Sequence, residues 1–597
     1  MKPILMKRSG LLLAAVMMAA LAWLGASGGS ALAQTAGGSQ TADQPFYKSA
    51  LLGSSAPLID VSENPGWMQG LSVSGFINNI TGMWVDSAGI RYQKSKNSLA
   101  SERNWLQLDI NYILNGDNRF FVRGWVVYEP SYRFEYKGNA SGPGMTDMSD
   151  YYNQYNVRDA YWKSVNGPLT LFMGRQIVTW GESLAFRVGD VINPQDFTWN
   201  FGFSNLEQSR LPLWMVHPIM NLPSWGPLTA NFVEGIWTPA WQPMYNPSVD
   251  TPNQSSDPHS NWYDGQHDVA GSVSLLAPFT SFASARFQTQ PAPILAGAPG
   301  VPANMSAFPQ LCGSIVGRHC TSSGFNNFAS PFFGYRLPGN NLGSSTEGFR
   351  IHTLVKNAEI TMLYWHGHQF NEAGTPGAQF YVNGNIGGPQ SIEASFPQFN
   401  DIGATLNRPI YLPGELLSSV PIVLRTEAVF QDRTPFNTTD IGVRNAVVDK
   451  STVNSLVALD LDGLYAPWLT STGTLSANLE WNQYTISGYG KNLVYSFYAE
   501  RWRHNEEQIL FDVNTSWWWG AILPTYAMIW NPSGNTTLLF PTLVVTPPWT
   551  NKYFATLGYV GILGNDRLNS FAGGIFKGKS LLYMGFQYNF QPIKGRS

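Results

Sequence analysis

Leu582-Tyr583-Met584-Gly585-Phe586-Gln587-Tyr588-Asn589-Phe590, near the end of the chain, alternates an apolar row with a small or polar one. Successive side chains of a strand point to opposite faces, so Leu582, Met584, Phe586, Tyr588 and Phe590 share one side and Tyr583, Gly585, Gln587 and Asn589 the other. A strand with one greasy and one wet face fits a wall between lipid and a watery barrel interior.

The same alternation recurs upstream. Leu106, Leu108, Ile110, Tyr112 and Leu114 face one way, with Trp105, Gln107, Asp109, Asn111 and Ile113 opposite. Gly116-Asp117-Asn118 then turns the chain into Phe120, Val122, Val126 and Tyr128, with Arg123 and Glu129 behind them, which makes a hairpin. Counting every such stretch predicts an all-β, transmembrane antiparallel barrel of roughly 16 to 18 strands, even-numbered as single-chain bacterial barrels are. Tight turns such as Lys356-Asn357 and Gly564-Asn565-Asp566 contrast with long segments at 181–212, 239–268 and 290–345, expected as extracellular loops. A secreted β-sandwich or propeller would also show alternating strands, but it would have to bury most of 22 Trp, 26 Tyr and 34 Phe in a core. Aromatic belts at two membrane interfaces use that load directly.

Lys2, Lys7 and Arg8, an apolar run from Leu11 to Leu24, and Ala31-Leu32-Ala33 before Gln34 form a secretory signal peptide over 1–33. The residue after Ala33 is Gln34 and not Cys, which argues against a lipid-anchored periplasmic protein. Residues 34–67 are polar and poorly periodic and read as a periplasmic N-terminal segment; 68–597 read as the outer-membrane barrel. Charged residues are 13% of the chain and the net charge is −3, so no basic footprint for nucleic acid is present. No mature stretch offers the ~18 uninterrupted apolar residues of a spanning helix. The richest candidate, Trp517 to Trp530, is broken by Gly520 and Pro524.

The most distinctive run is Gly174-Arg175-Gln176-Ile177-Val178-Thr179-Trp180-Gly181-Glu182, continuing through Arg187-Val188-Gly189-Asp190-Val191-Ile192-Asn193-Pro194-Gln195-Asp196. Here the chain resembles the proteobacterial outer-membrane family catalogued as domain of unknown function 1302. Its shared pattern is a strand ending in Gly-Arg-Gln, then Trp-Gly-Glu, then Asp-Val-Ile-Asn-Pro-x-Asp. The resemblance implies an outer-membrane barrel working beside periplasmic partners and envelope exporters of hydrophobic molecules, and it brings neither an agreed substrate nor a catalytic residue. The ending at Phe590 likewise resembles the terminal aromatic read by the barrel assembly machinery, although Gln591 to Ser597 follow it.

Charges in a barrel wall must face water or each other, because a lipid-facing Arg costs about 2–4 kcal/mol near the midplane. Arg123, Glu129, Arg175, Glu182, Arg187, Asp190, Asp196, Arg425 and Glu427 are therefore expected in the lumen, with Glu480 beside them. The segment after Trp180 reads either as an inward constriction that selects solutes or as a salt-bridged clamp pinning a loop to the wall. His366 and His368 share one strand face, where polar lining explains them more simply than a metal. Cys312 and Cys320 are expected to form a loop disulfide, since a close pair in an exported chain lacks the further ligands of a metal site. No Gly-x-Ser-x-Gly elbow occurs in the barrel region, and no cofactor is implied. The function predicted is a channel for small hydrophobic or aromatic solutes; a non-conducting structural or adhesin barrel and an outer-membrane lipid hydrolase remain as alternatives. The sequence leaves substrate, direction and oligomeric state open.

Overall fold

Alternation of the kind seen in Leu582–Phe590 builds almost the whole fold. The computed structural model describes residues 70–85, 97–128, 154–194, 210–241, 333–368, 379–383, 391–412, 420–438, 447–494, 502–564 and 580–590, apart from a few positions within these ranges.

Eighteen strands form the wall. They are β1 (Leu71–Trp84), β2 (Leu99–Ile113), β3 (Asn118–Tyr128), β4 (Gln154–Asn166), β5 (Leu169–Gln176) and β6 (Leu213–Asn221). Then come β7 (Leu228–Thr238), β8 (Thr346–Val355), β9 (Ala358–His368), β10 (Gln398–Ile410), β11 (Ile422–Thr438) and β12 (Val447–Tyr465). The last six are β13 (Thr474–Ile486), β14 (Asn505–Thr515), β15 (Ile522–Asn531), β16 (Thr536–Leu539, continued by Thr542–Val545), β17 (Tyr553–Gly564) and β18 (Leu581–Phe590).

Each pairs antiparallel with the next, and β18 pairs back onto β1 from Gly75↔Phe590 to Trp84↔Leu581, closing the sheet. Closure leaves no free sheet edge, the condition for a sheet in lipid. The terminal strand anticipated from its alternation is thus the closing strand. The break in β16 falls at Phe540-Pro541, where proline supplies no ladder donor. Phe333–Arg336, Gln379–Asn383 and Ser391–Ser395 make a small separate sheet.

The two faces differ as the patterning demands. Leu108, Ile110, Phe120, Met362, Ile402 and Leu479 stand exposed on the outside, as do Met584 at 63% and Phe586 at 52%. Asn78, Gln107, Glu427, Glu480 and Gln587 point inward and are buried. A soluble sandwich would invert that arrangement, so the exposed band is a lipid-facing surface. Exposed aromatics gather at its two ends: Trp225, Trp468, Trp519 and Trp549 at the short-turn end, and Trp214, Trp237 and Trp530 at the other. Among the described residues no helix is long and apolar enough to cross a membrane.

Residues 1–67, the Cys312–Cys320 pair, Glu129 and Asp196 lie outside the described residues. The turn expected at Gly564-Asn565-Asp566 also runs outside the described residues after Gly564.

Candidate functional site

The run that carried the family resemblance leaves β5 and crosses the barrel interior. Gly174, near the end of β5, has φ +134°, and a Cβ there would meet the Ala160 carbonyl oxygen at 2.2 Å, so only glycine fits beside β4. From Ile177 to Pro194 the chain makes no wall strand. Instead its backbone bonds to side chains far round the wall. The Glu182 and Gly189 N–H groups donate to Glu427 on β11, at 2.6 Å to Oε1 and 2.7 Å to Oε2. The Leu184 N–H donates to Glu480 Oε1 on β13 at 2.9 Å, and the Ser183 hydroxyl to Oε2 at 2.8 Å. Asn454 Nδ2 on β12 donates to the Arg187 carbonyl at 3.1 Å. In an eighteen-strand ring the strand opposite β5 is β14, so attachment to β11, β12 and β13 requires the segment to traverse the lumen.

Close approach explains its glycines. A Cβ on Gly189 would come within 2.9 Å of Glu427 Oε2. Wall and segment meet edge to face at Trp180 and Trp365, both buried, with ring centroids 6.0 Å apart and an interplanar angle of 89°.

The rest of the run is tied to itself. Asp190 Oδ2 receives Arg210 Nε at 2.8 Å and lies 3.5 Å from Arg187 Nε, while Arg187 Nη2 donates to the Asp190 and Asn193 carbonyls at 2.6 and 2.5 Å. Asn193 is fully buried; its Oδ1 accepts the Val178 N–H at 2.8 Å and its Nδ2 donates to the Leu211 carbonyl at 2.8 Å. Arg187, Asp190 and Asn193 therefore form a knot, and the reach across the lumen belongs to the backbone of 182–189 and the two wall glutamates. Glu182 contributes its N–H to that link. Burial pushes its carboxyl up from the usual carboxylate range, against a hydrogen bond from Asn407.

Of the other residues expected in the lumen, Arg425 lies beside Glu427. It bonds Glu480 Oε1 at 2.9 Å and pairs with Asp460. Arg123 pairs with Asp109 at 2.8 Å on the opposite side. Arg175 must be corrected: it is in register with Ala160 and Trp214, and Trp214 is 56% exposed on the outer face. Arg175 thus stands outside, at the long-loop end, with Nε 3.4 Å from the Pro212 carbonyl, because the alternation beyond Gly174 gives the inward position to Gln176. His366 and His368 also share the outer face with Met362 rather than lining the lumen, and His366 Nδ1 lies 2.9 Å from Asn400 Oδ1. A buried set not anticipated joins His217, Glu234 and Arg350: His217 Nε2 is 2.6 Å from Glu234 Oε1, and Arg350 pairs with the other oxygen. Spacing gave no sign of it, since the three lie on β6, β7 and β8.

Inward charges are sorted by sector. Arg103, Arg119, Arg123, Arg158 and Lys163 lie on β2 to β4 with Asp109 and Asp159. Asp401, Glu427, Asp460, Glu480, Glu506 and Asp512 lie on β10 to β14 around Arg425. Strands β15 to β18 and β1 contain no Asp, Glu, Lys or Arg.

Residues 14–307 match the family model described as a protein of unknown function (DUF1302), in agreement with the resemblance carried by the run from Gly174 to Asp196. No curated protein matches it. Similar solved structures include OccAB3 of Acinetobacter baumannii, 9% identical with a TM-score of 0.41, covering 87% of this chain and 99% of that one. A BenF-like porin from Pseudomonas fluorescens Pf-5 is 8% identical with a TM-score of 0.42, covering 88% and 100%. Pseudomonas aeruginosa OpdK, solved with vanillate, is 8% identical with a TM-score of 0.40, covering 87% and 98%.

Proposed function

We propose that the chain, exported by the signal over 1–33, is an outer-membrane channel for small hydrophobic or aromatic solutes, and that residues 177–194 are its constriction. One observation carries the reading: the backbone of Glu182, Leu184 and Gly189 is held by Glu427 and Glu480 on the far wall. A barrel of this strand number encloses more space than its own inward side chains fill, and a tethered segment narrows it. The uncharged sector from β15 to β1, bordering the acidic one, suits solutes with an apolar body.

A sealed structural or adhesin barrel is the second reading, favoured by the full burial of Val544, Val560 and Leu581 on the inward face. Reconstitution separates the two. The purified protein is expected to give discrete conductance steps in planar bilayers and to swell liposomes in benzyl alcohol or benzoate. Neither conductance nor swelling, from protein that shows the heat-dependent gel shift of a folded barrel, would establish the sealed barrel.

A further inference from the structure

Asp460, Asn478 and Asp512 lie side by side on β12, β13 and β14, paired in register, all facing inward. Neighbouring strands are about 4.8 Å apart, so the three side chains form a row less than 10 Å long. Glu480 lies one inward position further along β13, and Arg425 bonds it and Asp460. Arg425 is thus the guanidinium placed among three carboxylates, with its fork used on two of them.

Asp512 is left over. It and Asn478 are each 6% exposed. Asn478 Nδ2 donates to Asp460, which turns its Oδ1 away, and that oxygen has no hydrogen-bond partner. Asn514 reaches the Asp512 carboxyl, yet Asp512 Oδ1 also has no partner. Two unpaired acceptor oxygens therefore stand on adjacent strands beside an excess of negative charge. Buried acceptors are satisfied almost without exception, and an unpaired buried carboxylate is far costlier than a neutral acceptor. A donor carrying positive charge would satisfy both oxygens and offset the surrounding excess of carboxylates.

Resting on the channel reading above, the structure assigns to Asp512 and Asn478 a binding station for the ammonium group of an amine solute. An ammonium offers three donors and no acceptor, which matches Asp512 Oδ1 and Asn478 Oδ1 together. A metal ion fits less well, because among the described residues no group of three His, Cys, Asp or Glu side chains is placed to hold one. The surroundings specify the rest of the solute. The in-register row continues from Asp512 to Ala527 on β15, whose carbonyl accepts the Phe540 N–H at 2.8 Å. Asp512 is the last charge on β14 before five strands that carry none. An amine bound there has an uncharged wall beside it, in which Ala527, Leu538 and Phe540 stand among Thr525, Thr536 and Thr542, so the class is an amine cation with an aromatic or hydrophobic body.

The test is calorimetric titration of the folded, detergent-solubilised full chain with three probes of matched size: phenethylammonium, phenethyl alcohol and phenylacetate. The expected result is saturable binding of phenethylammonium at least tenfold tighter than that of the alcohol, weakened tenfold or more by Asp512→Asn and strengthened by Asn478→Asp. Equal affinity for amine and alcohol overturns the assignment, as does an Asp512→Asn variant that binds like the parent. Saturable calcium binding lost in Asp512→Asn, with no preference for the amine, overturns it in favour of a metal. If Asp512→Asn does not fold, Asn478→Asp decides alone, and unchanged amine affinity there refutes the site. Amine binding by a barrel that neither conducts nor swells liposomes would remove the channel reading and leave the station standing; a conducting barrel indifferent to the amine would do the reverse.

Discussion

Replacing Glu427 with Gln probes the lumen-crossing segment with almost no change of shape. The carboxylate accepts two N–H groups, from Glu182 at 2.6 Å and Gly189 at 2.7 Å. A carboxamide has one oxygen, so it keeps one of these bonds without charge assistance and turns an NH2 toward the other donor. Leaving one such donor unsatisfied costs about 1–3 kcal/mol, which shifts the ratio of tethered to released segment about 5- to 150-fold. Adding Glu480→Gln loosens Leu184 and Ser183 as well, while Arg425 keeps Asp460. The outward face of both strands is untouched, so the gel shift and yield of folded barrel should stay at parental levels. In planar bilayers the double variant is expected to show larger or more frequent conductance steps, with the single variant between it and the parent. Parental conductance and gating in a folded double variant would refute the idea that the tether sets the bore. Loss of folded barrel with unchanged conductance in the survivors would show that the two glutamates are a structural clamp.

Deleting Leu582 to Phe590 removes the closing strand, leaves β1 and β17 each without a partner on one edge, and should abolish insertion, read as loss of the protein from outer-membrane fractions; normal insertion would show that closure does not use it. Arg175→Gln should leave conductance and ion selectivity unchanged, since the side chain stands on the outer face; a selectivity change in bilayers would place it in the solute path after all. Trp180→Ala empties a buried indole site beside Trp365, a loss of about 3–5 kcal/mol that should lower the temperature at which the gel shift is lost and broaden conductance noise. Cys312 and Cys320 should resist thiol labelling in the exported protein until a reductant is added, and ready labelling without one would disprove the pairing.

The wall was legible because period-two patterning and lipid exposure are the same signal. Met584 and Phe586 are exposed, and Gln587 is buried, as their alternation requires. The strand count needed the register, since the Phe540-Pro541 interruption makes two pieces of one strand and Leu493–Val494 pairs only with the tip of β11. The site was half legible. Alternation gave Arg425, Glu427 and Glu480 their shared inward face, but nothing local says that Glu427 meets an amide 245 residues away. Arg175 was misplaced because a charge at a strand end can sit on the outside beyond the apolar band, where water rather than the lumen satisfies it. Arg210 gave no signal at all: its partner Asp190 belongs to the motif, and Arg210 does not.

Across the lumen, the wall contributes carboxylates and the segment contributes almost only peptide N–H groups. Every residue except proline carries that donor, so the attachment is indifferent to most side chains between Gly181 and Gly189. Those side chains can therefore be exchanged while the anchorage persists through each exchange. Substitution at Glu427 or Glu480 has no such freedom, which separates the positions that tolerate exchange from the two that hold the segment in place.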